Sequence, residues 1–334
     1  MVTCGPRRRV PCCSQSFWTW LLVTACLAAP LHAQDKPRTI GYLSTGPGAT
    51  TSTNSLLQGL RELGWIENRN IRIEWRWADN RPERLLELAQ DLVRLKVDLI
   101  VASGTPAVAA AKAATSTLPI VMGSAADAEA SGFVDSLARP GRNLTGVSMM
   151  MPALAGKRLE LLKELHPGLQ RVAYLAYAPD PAHKLFLKQT QEAGQALKVR
   201  VQQVLVQSTA ELSAAFAAMK KEQAEALIVQ PLFINNLGLG PQLAELAAAN
   251  RLPSISDGAG YAEAGGLIYY GPDPAATYAR VAGYVDRILK GARPAEMPVE
   301  QPQKFQLIIN QVTARRLGVR LPQALTVRAD RVIE

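Results

Sequence analysis

The chain has 334 residues, 48% of them hydrophobic and 19% charged, with 37 Lys and Arg against 28 Asp and Glu for a formal net charge of +9. That length suits one large or two medium domains. The cations are dispersed beside acids, as in Arg61-Glu62 and Lys163-Glu164, and no block of five or six like charges occurs, so a nucleic-acid surface is not expected.

The first predicted element is a leader. Arg7, Arg8 and Arg9 precede an uncharged apolar run over 17–30, then Leu31-His32-Ala33 and the abruptly polar Gln34-Asp35-Lys36. A positive start, a short apolar stretch and a small-residue end form a secretory signal peptide, here 1–33. The apolar run is shorter than the ~20 residues of a spanning helix, which argues against an uncleaved anchor. Cys26 in Val-Thr-Ala-Cys offers a second outcome, a lipoprotein tether, although the apolar run continues past it. Cleavage after Ala33 is favoured, and either route places the protein in the periplasm. The three leader arginines account for three of the nine net positive charges, leaving +6. Cys4, Cys12, Cys13 and Cys26 all lie in or before the apolar run, so a chain cut after Ala33 carries no thiol. Beyond it only His166 and His183 remain, without metal-ligand spacing. Neither a metal nor a cofactor is therefore expected.

The rest of the chain reads as two similar α/β units. Residues 39–43 form a short apolar strand ending in Ser44-Thr45-Gly46-Pro47-Gly48, and 52–63 a helix stopped by Gly64. Ile71, Ile73, Trp75 and Trp77 alternate with Arg72, Glu74 and Arg76, the period of a strand, which makes the two tryptophans core residues. Leu85, Leu88, Leu92 and Leu95 mark a helix over 82–95, followed by a buried strand at 98–102 and a helix opened by Pro106. A strand at 118–122 completes the unit. The second unit repeats the order: strands at 171–176, 199–206, 225–229 and 252–255 alternate with helices at 182–197, 209–220 and 241–250. First and third strands lie 60 positions apart in one unit (Thr39 to Leu99) and 56 in the other (Arg171 to Leu227). Two βαβαβ units argue for two doubly wound parallel-sheet lobes. One continuous sheet is the competing arrangement. Between the units a strand-like crossing at 144–151 leads to a helix at 153–165, and Met149-Met150-Met151 read as hinge packing. Strands at 265–271 and 304–310 flank a helix at 274–289. Repeated crossing gives a multi-strand hinge suited to closure on a ligand. The expected division is 34–150 with 272–295 for the N-terminal lobe and 151–271 with 296–334 for the C-terminal lobe.

Ligands of open parallel sheets gather at the carboxyl ends of the strands, beside helix N-termini that favour anions. Those ends carry Ser44, Thr45, Ser103, Thr105 and Ser124, with acids at Asp127, Asp180 and Asp257. Hydroxyls suit a carboxylate or carbonyl, and an acid suits an ammonium. Ser103 and Thr105 also read as helix caps, and Asp257 before Gly258 as a turn residue. Gly46-Pro47-Gly48 is a tight turn rather than a dinucleotide loop, because Pro47 removes a backbone donor. No Ser has a plausible His and acid constellation, and no G-x-S-x-G occurs, so no enzyme activity is expected.

Several stretches then carry a resemblance. GTPAVAAAKAATSTLPIVM (104–122), SLARPGRNLTGVS (136–148), GKRLELLKELHPGLQRVAYL (156–175), AEAGGLIYYGPD (262–273) and above all YVDRILKGARPAEMPVEQPQKFQLIIN (284–310) with TARRLG (313–318) are similar to one bacterial family. It is the ABC-transporter substrate-binding family that includes the tryptophan-binding TrpX-type proteins. The resemblance implies a type I periplasmic-binding-protein fold, an open–closed hinge and delivery of a small solute to an ABC permease of the inner membrane. The chain departs from the family pattern at its pocket. Asp127-Ala128-Glu129 stands for Asp-Pro-Val and Ala176-Tyr177-Ala178 for Trp-Asn-Pro; Asp180 replaces an Asn, and Gln230 replaces the Asp that opens the Asp-Pro-Leu-Phe step. Ser44, Thr45, Ser103, Ser124, Thr105 and Asp127 are expected to face Tyr177, Gln230 and Asp257 across a cleft that holds an amino acid or related carboxylate. A monomer is expected. The alternative role is a ligand-sensing subunit for a signalling receptor.

Overall fold

The computed structural model describes residues 37–149 and 154–334. The leader, its cleavage point and Cys26, with Met150 and Met151, lie outside the described residues. The first unit starts with β1 (Arg38–Ser44), whose burial deepens from exposed Pro37 to a fully covered carboxyl end. It continues through α1 (Thr51–Glu62), β2 (Ile71–Trp77), α2 (Leu85–Arg94), β3 (Leu99–Ser103), α3 (Thr105–Ala114), β4 (Ile120–Ala125) and β5 (Leu144–Ser148). These strands make a five-stranded parallel sheet in the order β2-β1-β3-β4-β5.

The second unit comprises α4 (Ala155–Leu165), β6 (Arg171–Tyr177), α5 (His183–Leu197), β7 (Arg200–Val206), α6 (Leu212–Lys221) and β8 (Ala226–Val229). The short α7 (Leu232–Asn235), α8 (Gly240–Ala249), β9 (Ser254–Ser256) and β10 (Ile268–Pro272) follow. After α9 (Pro274–Leu289) come β11 (Phe305–Asn310), α10 (Gln311–Leu317), α11 (Gln323–Arg328) and β12 (Arg331–Ile333). The seven-stranded sheet runs β12-β11-β10-β9-β8-β6-β7, parallel except for the antiparallel β10–β11 pair. Two separate sheets exclude the single continuous sheet.

Each sheet is covered on both faces, which explains why its central strands are apolar throughout rather than alternating. In the N-terminal lobe Ile40, Leu99 and Val101 pack under Leu56 and Leu60 of α1 and Val281 of α9, while Leu43, Ile100 and Ala102 pack under Leu85 and Leu92 of α2 and Val108 of α3. In the C-terminal lobe Val172 and Ile228 face Leu159 of α4 and Phe186 of α5, and Leu175 and Val229 face Phe216 of α6 and Leu243 of α8. Asp273 caps α9 by accepting hydrogen bonds from the backbone N–H of Ala275 and Ala276 at 2.9 and 3.2 Å. α9 therefore starts at the end of a C-terminal strand and lies along α1 in the other lobe.

The lobes are joined by three passages of chain: between β5 and α4, at Pro272-Asp273, and over 300–304. The returning segment runs beside β5, with Glu300 N donating to Gly146 O at 3.0 Å and Ser148 N to Glu300 O at 2.9 Å. Met149 is buried at this crossing.

Trp75 and Trp77 sit on the edge strand and are only half-buried. Their rings stack at 5.5 Å and 7°, with Tyr42 tilted against them at 5.0 and 5.3 Å. They pack onto the core from its margin, because an edge strand has no neighbour on one side. Four elements have no counterpart in the sequence expectations: α7, α10, α11 and β12. All are seven residues or shorter, too short for periodicity to register.

A candidate solute-binding cleft

The cleft lies between the carboxyl ends of the two sheets. On the N-terminal side β3 ends at Ser103 and the chain turns into α3 through Gly104, whose φ of +93° favours glycine. The turn is tied to β4: Gly104 N donates to Ser124 Oγ at 2.8 Å, and Ser103 Oγ lies 3.3 Å from Ser124 Oγ and 3.2 Å from Tyr278 Oη. Thr105 Oγ1 accepts from Ala126 N at 3.1 Å. The hydroxyls at these strand ends thus first brace the loops, and α3 presents its N-terminus to the cleft.

On the C-terminal side β6 runs to Tyr177 and β8 to Val229, with Gln230 next. Gln230 is fully buried. Its Oε1 accepts from Tyr177 N at 2.8 Å and its Nε2 donates to Asp180 Oδ2 at 2.5 Å. Asp180 also accepts from Ala182 N at 3.1 Å, and its backbone oxygen lies 2.7 Å from His183 Nδ1. Burial pushes the Asp180 carboxyl up to about 6 against the lowering effect of the Ala182 N–H and Gln230. No ion pair of Asp180 occurs among the described residues.

Between the lobes remains an inner cavity of about 30 Å³, lined by Gly104, Thr105 and Ser124 from one side and by Asp180, Phe186 and Asn236 among others from the opposite side. That is room for about one water molecule. Thr105 also borders a wider groove of about 400 Å³ at the mouth, where Ala109 and Phe133 face Pro181, Leu185 and Lys188. The groove has the size and apolar lining usual for a small-molecule site.

Of the nine residues expected at the site, Thr105 and Ser124 line the inner cavity. Ser44 and Ser103 reach the cleft but meet the opposing lobe, through Asn236 Nδ2 at 3.5 Å to Ser44 Oγ and 3.0 Å to Ser103 O. Thr45 is buried, and its hydroxyl has no partner among the described residues. The remaining four are not brought to the cavity. Asp127 turns back to cap its own loop, accepting from Ala130 N at 3.0 Å. Tyr177 packs edge-on against Phe233 at 6.0 Å inside the C-terminal core. Gln230 spends both ends of its amide within its own lobe. Asp257 is buried beneath the strand ends and accepts from Arg158 Nη1 at 2.8 Å, both side chains being 2% exposed. Burial raises its carboxyl to about 6 while Arg158 pulls it down, so it is ionised at neutral pH and its charge is neutralised inside the lobe.

The cavity residues absent from the expected set are Gly104, Ala126, Asp180, Phe186 and the turn from Pro231 to Asn236. Asp180 carried a sequence signal, as an acid at a strand end. The others carried none, since Phe186 reads as helix core and Asn236 as loop. The structure also joins two of the departures noted above: Asp180 and Gln230 touch, so a carboxylate stands beside position 230.

Residues 40–333 match the ABC transporter substrate binding protein family. The chain belongs to that family. It is 24% identical over 281 residues to the tyrosine-binding protein of Clostridioides difficile (strain R20291), covering 84% of this chain and 80% of the relative. Among solved structures, a conserved domain protein from Vibrio cholerae superposes with a TM-score of 0.82 at 22% identity, covering 89% of this chain and 100% of the other. The ABC domain from Streptococcus pneumonia in complex with L-Trp superposes at 0.80 and 24% identity, with the same coverage. A ligand-free, open substrate-binding protein from Clostridium difficile reaches 0.62 at 22% identity, covering 89% of this chain and 99% of the other. The family member thus has the type I periplasmic-binding-protein fold: two α/β lobes with parallel sheets and a multi-strand hinge. The family is one of solute binding rather than of catalysis. Among the described residues no cluster of three His, Cys, Asp or Glu could hold a metal, and no helix is long and apolar enough to cross a membrane.

Proposed function

We propose that this chain is the extracytoplasmic solute-binding component of an ABC importer, capturing an α-amino acid between its lobes and delivering it to a permease. The observation that carries the reading is Asp180. It is a buried carboxylate without a counter-charge among the described residues, on a cavity whose opposite wall is the N-terminus of a ten-residue helix, α3. Once the lobes part to widen this one-water cavity, an ammonium at Asp180 and a carboxylate at Thr105, Ser124 and the α3 N-terminus satisfy both walls at once. The solute's side chain is directed to the apolar mouth groove beside Phe133 and Leu185. Two relatives support this class, one being a tyrosine-binding protein and one a structure holding L-Trp.

Isothermal titration of L-tyrosine and L-tryptophan against their deaminated analogues tests the reading. The amino acids should bind and the analogues should not. Asp180→Asn should weaken amino-acid binding about 10- to 100-fold, the worth of one charge-assisted hydrogen bond of about 1.5–3 kcal/mol. The ammonium requires an ionised Asp180, so wild-type affinity should fall as pH drops through about 6 and the fall should vanish in Asp180→Asn. Equal binding of the deaminated analogues would remove the amino-acid assignment.

A further inference from the structure

The segment that follows β8, through α7, is braced against its own lobe. Gln230 is locked as described above, and Asn235 Oδ1 accepts from Ala259 N at 2.7 Å, so the turn is held firmly in the C-terminal lobe. The next residue points the other way. Asn236 is 3% exposed, and the hydrogen-bond partners of its side chain among the described residues, Ser44 Oγ and Ser103 O, belong to the N-terminal lobe. Beside it Asn80 Nδ2 donates to Leu237 O at 3.2 Å, again across the lobes.

Two glycines of the N-terminal lobe receive this residue. A Cβ added at Gly46 would stand 1.9 Å from the Asn236 carbonyl oxygen, and one at Gly104 would stand 2.8 Å from its Nδ2. At both positions the three nearest atoms to the added carbon, chain neighbours aside, belong to Asn236. These glycines therefore leave room for the opposing lobe rather than for their own. Gly104 has the second duty of a positive φ; Gly46 does not. Gly48, two positions on in the same loop, has open space where its Cβ would be.

We propose that Asn236 is the positioning residue of lobe closure. It docks between Ser44 and Ser103, against Gly46 and Gly104, and holds the lobes together through contacts of its own. A consequence, which rests on the solute-binding reading, is that closure seals the Ser44 end of the cleft and confines the solute to the Thr105 end. Ser44 then serves closure and Thr105 serves recognition.

The docking can be tested without any solute, and so independently of what the protein binds. In the full chain with Cys4, Cys12, Cys13 and Cys26 replaced by serine, spin labels are placed on Gln90→Cys in α2 and Lys220→Cys in α6, both exposed positions. Double electron–electron resonance then reads the distance between the lobes. The parent should show a short-distance population. Gly46→Ala should lose it, Asn236→Ala should reduce it, and Gly48→Ala should leave it unchanged. The melting temperature of Gly46→Ala should stay close to that of Gly48→Ala, because the nearest obstacle to the Gly46 methyl group is in the opposing lobe and the Gly48 methyl group enters open space. A parent without the short population, or a Gly46→Ala chain that keeps it in full, overturns the proposal.

Discussion

Two acids of the C-terminal lobe, Asp180 after β6 and Asp257 after β9, stand at strand ends separated by β8 and are pushed by burial to about the same value, near 6. Their surroundings divide them. Asp257 has Arg158 at 2.8 Å, and the pair is sealed beneath the sheet end. Among the described residues the Asp180 carboxylate has only neutral donors, the Ala182 N–H and the Gln230 amide, and it borders the cavity. A buried charge with its own counter-charge is structural, because its field is already spent. A buried charge held by dipoles alone keeps its attraction for a cation that arrives later.

The largest effect that would break this contrast is removal of the counter-charge. Arg158→Ala leaves Asp257 buried and unpaired, and should destabilise the protein by about 3–5 kcal/mol, read as a lowered midpoint in urea. A near-unchanged midpoint would mean that Asp257 has another partner. Asp180→Asn should do the opposite at neutral pH. Its folded value lies above the ordinary 3.8, so folding takes up a proton. The associated stability is full below about 3.8 and is lost as pH rises through about 6. The variant avoids that loss and should be more stable than the parent at pH 7 by up to about 3 kcal/mol, with the gap closing near pH 4 in thermal melts. The smallest effect belongs to Asp127, which caps its own loop. Asp127→Ala should cost roughly 0.5–1 kcal/mol of stability and leave solute affinity unchanged by calorimetry. A tenfold loss of affinity would return Asp127 to the site.

Much of the fold was legible because it follows from periodicity. The apolar runs at 99–102 and 226–229 read as strands covered on both faces, and the leucine spacing of 82–95 as a helix. The tryptophans of β2 were assigned to the core because strand alternation shows which residues share a face. It does not show that the strand lies at the edge of the sheet. The site was legible in kind and less so in detail. Hydroxyls and acids at strand ends were recognisable, and Thr105 and Ser124 do line the cavity. Whether such a group faces the cleft or its own lobe depends on partners far away in sequence: Arg158 for Asp257, Tyr177 N and Asp180 for Gln230. Asn236 was invisible for the same reason, since its side chain is satisfied about 130 and 190 positions away.

By itself, then, the sequence determined two doubly wound lobes, their order of elements and the end of each sheet where polar groups collect. These are consequences of local periodicity and of the right-handed strand–helix–strand connection. Tertiary structure alone decided which of those polar groups are spent and which are free. Hydrogen bonding and charge pairing at a buried site depend on what the other segments bring there, and here they left Asp180 as the cleft's unpaired carboxylate among the described residues and turned Asn236 toward the opposite lobe.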